Sequence, residues 1–377
     1  MVYRLGLDRV ALVLVVVLVC GVTDGQAQRI GARGEVSTSH VYAEAVKKSR
    51  VLLDSLMEQE SVPGLSAAVL VDGEVVWSEG FGYANLESRT PVTPLTKMRI
   101  GSVSKPLTSV ALGKLVEDGR LDLDAPIQRY VPSFPEKRYE VTARQVAGHI
   151  AGIRHYEGDE FYSRTHYDSV EAGLDIFERD SLLFEPGTEY DYSSYGWNLV
   201  SAAIEGAADM PFLRYMRREV IEPMNLRHTV AGHPDSLISY RTQFYKRTDD
   251  GQVLNAPYVD NSYKWAGGGF LSTATDLVRF GDAMIRATVL EPETVETLFT
   301  SLETSDGEST GYGLGWQVGT DDGRRTVGHS GGSVGGSTRF VLYPDQHVVV
   351  ALISNLGGVE YDAAEERIAH FFMQSAE

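Results

Sequence analysis

Strand-forming patterns stand at the two ends of this 377-residue chain and are sparse across residues 121–310. Strands split in this way must meet in one sheet or leave apolar faces uncovered. Near the start, residues 65–71 (LSAAVLV) and 75–84 (VVWSEGFGYA) flank Asp72-Gly73. An Asp-Gly pair between two β-prone runs is a strong hairpin signal. Near the end, residues 313–319 (GLGWQVG) and 325–329 (RTVGH) flank a turn at 321–323, and 337–344 (STRFVLYP) faces 347–354 (HVVVALIS) across Pro344-Asp345. Helical spacing runs from His40 to Glu58 through Val41, Ala45, Leu52, Leu56 and Met57. It recurs from Ser102 through Val103, Leu107, Val110 and Leu115 to Gly119, and again over residues 360–375. In the middle, Thr273 is placed to cap a helix carrying Leu277, Phe280 and Met284. The expected fold is α+β: an antiparallel sheet built from residues 40–120 and 311–377, flanked by helices, with a large, mostly helical region 121–310 inserted. No tandem repeat or low-complexity segment interrupts it.

Residues 1–27 read as a secretory signal peptide. Arg4 and Arg9 precede the apolar run 10–19, and Gly25 and Ala27 stand at −3 and −1 of a cut before Gln28. The run to Val22 falls short of the roughly 20 residues a membrane span needs. Cleavage and export, periplasmic or secreted, are therefore expected over a membrane-anchored form, with residues 28–39 as a polar linker. The one cysteine, Cys20, lies in the segment expected to be removed. Thiolate nucleophiles, thiolate metal sites and redox pairs go with it. A net charge of −18 sets nucleic acid and anionic membranes aside as partners. The nine histidines are scattered without an H-E-x-x-H pattern, and no G-x-x-x-x-G-K-[ST] loop is present. No metal and no cofactor are expected; the partner is a small-molecule or peptide substrate.

Three segments can carry chemistry. Ser102-Val103-Ser104-Lys105 opens a helix, and residues three apart on a helix are neighbours at about 5–6 Å between Cβ atoms. The Lys105 amine can reach the Ser102 hydroxyl, and burial makes a lysine a base. Of the eight lysines, only Lys105 has a serine three residues before it. The second segment is 185–197 (EPGTEYDYSSYGW), where a tyrosine can take a serine proton if the Lys105 charge lowers its pKa. Tyr190 and Tyr195 are read as packing residues. The third is 328–337 (GHSGGSVGGS), a glycine-rich loop whose backbone N–H groups can help hold an oxyanion, with His329 as a donor. It also satisfies G-x-S-x-G through Gly328, Ser330 and Gly332, the pattern of an α/β-hydrolase nucleophile elbow. That alternative places Ser330 as nucleophile, but the glycines after it oppose the helix the elbow needs.

The order S-x-x-K, tyrosine motif, glycine-flanked triplet resembles the serine β-lactamase and penicillin-binding-protein superfamily, in its class C-like, S12-peptidase branch. The strings VWSEGFGYAN, LDLDAPIQRYVPSFPEK, AGIRHYE, APYVDNSYKWAGGGFLST and GHSGGSVGGS are especially similar to the serine β-lactamase-like proteins of animal mitochondria. The resemblance covers His40 to the end. It implies Ser102 as acylated nucleophile, Lys105 as its base and Tyr192 as the tyrosine of the family's Y-x-N motif. It implies Ser194, His329, Ser330 and Gly331 as substrate-binding residues, with an oxyanion hole from the Ser102 and Gly332 N–H groups. Two departures stand out: Ser194 replaces the motif asparagine, and His329 replaces the lysine of K-T-G. The implied activity is hydrolysis of a peptide, amide or ester bond through an acyl-enzyme, with a β-lactam disfavoured because His329 weakens carboxylate capture. The alternative is a penicillin-binding-type binding or sensor protein with weak or no catalysis.

Overall fold

The computed structural model describes residues 40–376; the expected signal segment and linker lie outside the described residues. One sheet contains β1 (Gly64–Val71), β2 (Glu74–Asn85), β3 (Thr90–Pro91), β4 (Gln317–Asp321), β5 (Arg324–Ser333), β6 (Gly336–Tyr343) and β7 (Val348–Ser354). Their order is β3-β2-β1-β7-β6-β5-β4, antiparallel throughout. The two ends of the chain meet at β1 and β7, in register from Leu65 opposite Ser354 to Val71 opposite Val348. Asp72 and Gly73, with φ of 49° and 87°, both take the left-handed conformation of the turn that suits a tight hairpin.

The strands are apolar on both faces because both are covered. Leu65, Ala67, Val69, Val350 and Leu352 pack with residues of α1 (Ala43–Gln59) and α5 (Ala364–Ala376). Ala68, Leu70, Val349, Ala351 and Ile353 face the opposite core, shared with α2 (Ser104–Glu117), α3 (Ser194–Ala208) and α4 (Ala274–Ile285). Period-two alternation thus sorts one continuous apolar run into two cores. In α4 the Thr273 hydroxyl accepts the Asp276 N–H at 3.1 Å, the expected cap.

Several expectations shift. In α1 the buried face is Ala45, Val46, Ser49, Leu53 and Leu56, while Val41 is exposed and Leu52 half-buried. Residues 313–316 precede β4 rather than belonging to it, and the last helix starts at Ala364. The glycine-rich segment is strand, not loop: β5 runs through Ser333, and only Val334-Gly335 turns into β6. The inserted region is less helical than expected. Residues 148–193 hold only two short 3-10 turns, Glu160–Tyr162 and Ala172–Ile176. Side chains organise this coil in place of a backbone ladder: Arg154 bonds both Glu160 and Asp180, at 2.8 and 2.7 Å.

Candidate active site

Ser102 lies in a 3-10 turn, Gly101–Val103, that runs straight into α2. Gly101 before it has φ +52°, and a Cβ there would lie 2.5 Å from the Gly332 carbonyl oxygen. A Cβ on Gly331 would lie 2.0 Å from the Ile100 carbonyl oxygen. Glycine is needed at these positions because β5 packs its backbone directly on the backbone that presents Ser102.

Lys105, one helical turn on, has no exposed surface. Its Nζ lies 3.0 Å from Ser102 Oγ, 3.1 Å from Ser194 Oγ and 3.1 Å from the Gly267 carbonyl oxygen. Burial, and then the charge of Lys264, holds this amine well below its ordinary pKa. A neutral amine has two N–H groups and one lone pair. Gly267 and Ser194 can take the two N–H groups, which leaves the lone pair for the Ser102 O–H.

Tyr192 precedes α3, and its ring lies 4.7 Å from the Lys105 amine. The expectation that a cation lowers its pKa does not hold. Burial dominates and holds the phenol well above its ordinary value, partly offset by the Ser102 and Ser194 hydroxyls. Tyr192 is therefore a protonated hydroxyl beside Ser102, not a phenolate. Ser193 caps α3, accepting the Gly196 N–H at 3.0 Å. The next N–H, of Ser194, donates to His155 Nδ1 at 3.1 Å. His155 then carries its proton on Nε2. Burial, Lys105 and Lys264 lower its pKa to about 4, so it is neutral.

His329 is also neutral, at a pKa of about 3, through burial and the Lys105 charge. The Ser330 carbonyl, 2.6 Å from Nδ1, can only accept, so the proton is on Nδ1. Nε2 then accepts the Tyr312 O–H at 2.8 Å. Both ring nitrogens are spent inside the protein, which removes the expected donor to a ligand.

The cleft over Ser102 has a volume of about 440 Å³. Tyr192, Ser194, Gly332 and Ser333 contribute to its walls, but His329, Ser330 and Gly331 do not. His329 and Ser330 border a separate depression of about 280 Å³ beside β4. Ser330 lies inside β5 with its N–H donating to Gln317 Oε1 at 3.0 Å, which is not the strand-to-helix turn of a nucleophile elbow. A further cleft of about 570 Å³, walled by Pro135–Tyr139 and Arg179–Glu185, shares no residue with the one over Ser102.

Two N–H groups face the Ser102 region. Among the described residues, that of Ser102 donates to no protein acceptor. The two-residue loop makes Ser333 and Gly336 the closing pair of the β5–β6 hairpin, and hydrogen-bonded pairs alternate along antiparallel strands. The Gly332 N–H consequently points away from β6, and β4 pairs β5 only as far as Gly328.

Four aromatic or basic side chains of the wall were not singled out for chemistry from the sequence: His155, Tyr156, Phe161 and Lys264. Three of them fall inside the strings AGIRHYE and NSYKWAGGGFLST that carried the resemblance. Among the described residues, no group of three or more His, Cys, Asp or Glu side chains is placed to hold a metal.

The beta-lactamase family profile matches residues 50–372. The chain belongs to the beta-lactamase family. It is 32% identical to the human mitochondrial serine beta-lactamase-like protein LACTB, over 88% of this chain and 80% of that one. It is 26% identical to penicillin-binding protein 4* of Bacillus subtilis (strain 168), over 82% of this chain and 71% of that one. The octameric penicillin-binding protein homologue from Pyrococcus abyssi superposes with a TM-score of 0.74 at 26% identity, covering 88% of this chain and 77% of the other. A D-amino acid amidase from Ochrobactrum anthropi SV3 shares the fold at a TM-score of 0.74 and 22% identity, over 89% and 99% of the two chains. Membership of this beta-lactamase family places the chain among serine hydrolases.

Proposed function

We propose that the protein hydrolyses a peptide, amide or ester bond through an acyl-enzyme on Ser102. The observation that carries this reading is the Lys105 amine, buried, depressed in pKa and 3.0 Å from Ser102 Oγ. As Oγ bonds to the substrate carbonyl carbon, its proton passes to the Lys105 lone pair. The carbonyl π pair moves onto oxygen, where the Ser102 and Gly332 N–H groups receive it. The bond to the leaving group then breaks as a proton returns through the Tyr192 hydroxyl from the Lys105 ammonium. Water, deprotonated by the restored Lys105 amine, attacks the acyl carbon and releases the acid and Ser102. Ser194 accepts one Lys105 N–H, a job its hydroxyl can do without the asparagine amide. The neutral His329, both nitrogens occupied, supplies no cation at the β5 position where a β-lactam carboxylate would be held, which favours an acyl donor that does not depend on a charge there.

A fluorophosphonate probe followed by mass spectrometry tests this. We expect label on Ser102 that vanishes in Ser102→Ala, and nitrocefin turnover far below that of an ester. Label on Ser330, or no label and no ester hydrolysis, would sink the reading. Residues 1–27 support export, which cell fractionation of the full chain checks.

A further inference from the structure

A second buried lysine stands at the cleft and is unused by this chemistry. Lys264 is 3% exposed and ends the 3-10 turn Ser262–Lys264. Its Nζ lies 4.4 Å from the centroid of the Phe161 ring, 5.1 Å from that of Tyr263 and 5.2 Å from that of Tyr156. Among the described residues no protein oxygen accepts a hydrogen bond from this amine and no carboxylate pairs with it. Lys97, by comparison, reaches the Ser239 carbonyl at 3.0 Å. Aromatic faces attract an ammonium but leave its N–H groups unfilled. A buried charge without a protein partner is costly, and groups perturbed in this way in a cleft cluster at functional sites.

Lys264 walls the same cleft as Ser102, and no Asp or Glu does. The open side of the amine therefore faces the cleft, where an anionic group of a ligand would pair with it. One ammonium matches one carboxylate in charge and in hydrogen bonds. A phosphate needs more donors, and the nearby Arg99 is committed to the Val334 carbonyl and to the Phe244 face, 4.0 Å away. We propose that Lys264 is a specificity residue that selects substrates carrying a carboxylate close to the scissile carbonyl. The proposal rests on Ser102 acylation and names the substrate class of that site.

The test uses two ester pairs with the full chain at pH 6. One is p-nitrophenyl hydrogen adipate and its methyl-capped analogue, with the carboxylate on the acyl side. The other is 4-acetoxybenzoate and its methyl ester, with the carboxylate on the leaving group. We expect kcat/KM to favour the acid about tenfold or more in at least one pair, mainly through KM. Lys264→Met should bring that ratio to about one, and Lys264→Arg should restore part of it. The ratio is taken within one protein preparation, so a smaller active fraction cancels, and Lys264→Gln replaces a Met variant that does not fold. Ratios near one in the wild type while the esters are turned over overturn the proposal, as does a preference that survives in Lys264→Met. No hydrolysis of any ester together with no label on Ser102 overturns the acylation reading first.

Discussion

Lys105 and Lys264 are both buried around the cleft over Ser102, and the protein satisfies them in opposite ways. Lys105 has three oxygens within 3.1 Å, so a neutral amine there is fully hydrogen-bonded and aimed at Ser102. Lys264 has three rings and, among the described residues, no oxygen that accepts from its amine, an arrangement that tolerates a cation and leaves its N–H groups to a ligand. Burial lowers both amines, but burial is not what separates their roles. The neighbours decide: an amine whose N–H groups are used within the protein keeps a lone pair for chemistry, and one whose N–H groups are free offers charge.

The largest break in this comparison is Lys105→Met, which should cut ester hydrolysis about a thousandfold or more while Ser102 stays in place. Steady-state kinetics on a neutral ester measure it, and retained activity would remove Lys105 from the base role. Next is the backbone seam. Gly331→Ala drives a Cβ to 2.0 Å from the Ile100 carbonyl, while a Cβ on Gly332 meets nothing within 4 Å. Denaturant melts should show a loss of ~2–3 kcal/mol for Gly331→Ala. Gly332→Ala should melt close to wild type. Ser194→Ala takes one N–H acceptor from Lys105 and should slow acylation about tenfold, a hydrogen bond's worth, with KM little changed. Stopped-flow acylation rates read this.

The last two effects concern Lys264, whose pKa burial and the Arg99 charge lower from 10.5 to about 7. Phe161→Ala lets water reach the amine, so its pKa should rise by about one unit and the preference for a carboxylate should persist to higher pH. The pH profile of the acid-to-ester ratio shows the shift. For stability, the unfolded chain binds the Lys264 proton more tightly than the folded one. Between pH 10.5 and about 7, wild-type stability therefore falls as pH falls, and the penalty is complete below about 7. Lys264→Met should raise the melting temperature by roughly 3–5 °C at pH 6, and the gain should shrink to nothing above pH 10.5. A gain independent of pH would show that packing, not charge, separates the two proteins.

Much of the sheet was legible because its signals are local. Asp72-Gly73 and the two apolar runs around it specify a hairpin whatever the remainder of the chain does. The segment from Gly328 to Ser337 misled, since glycines usually mark loops, yet here they let one strand touch the backbone at Ile100 and Gly101. Ser102 and Lys105 were legible because one helical turn joins them. Tyr192 was located, but its phenol was expected to be acidified by a cation, and burial raises its pKa instead. Lys264 was not singled out at all. Tyr263 is its chain neighbour, but nothing within a few residues indicates that Phe161 and Tyr156 also close around its amine.

By itself the sequence determined the order of the elements, the hairpins, and serine as the nucleophile to look for. These depend on interactions over a few residues, where backbone geometry makes spacing equivalent to proximity. Tertiary structure decided which proton sits on which atom. It spent both nitrogens of His329 and left the Lys264 amine without a hydrogen-bond acceptor among the described residues. Protonation follows from desolvation and from partners such as Tyr312 for His329 and Tyr156 and Phe161 for Lys264, which lie elsewhere in the chain and which only folding brings in.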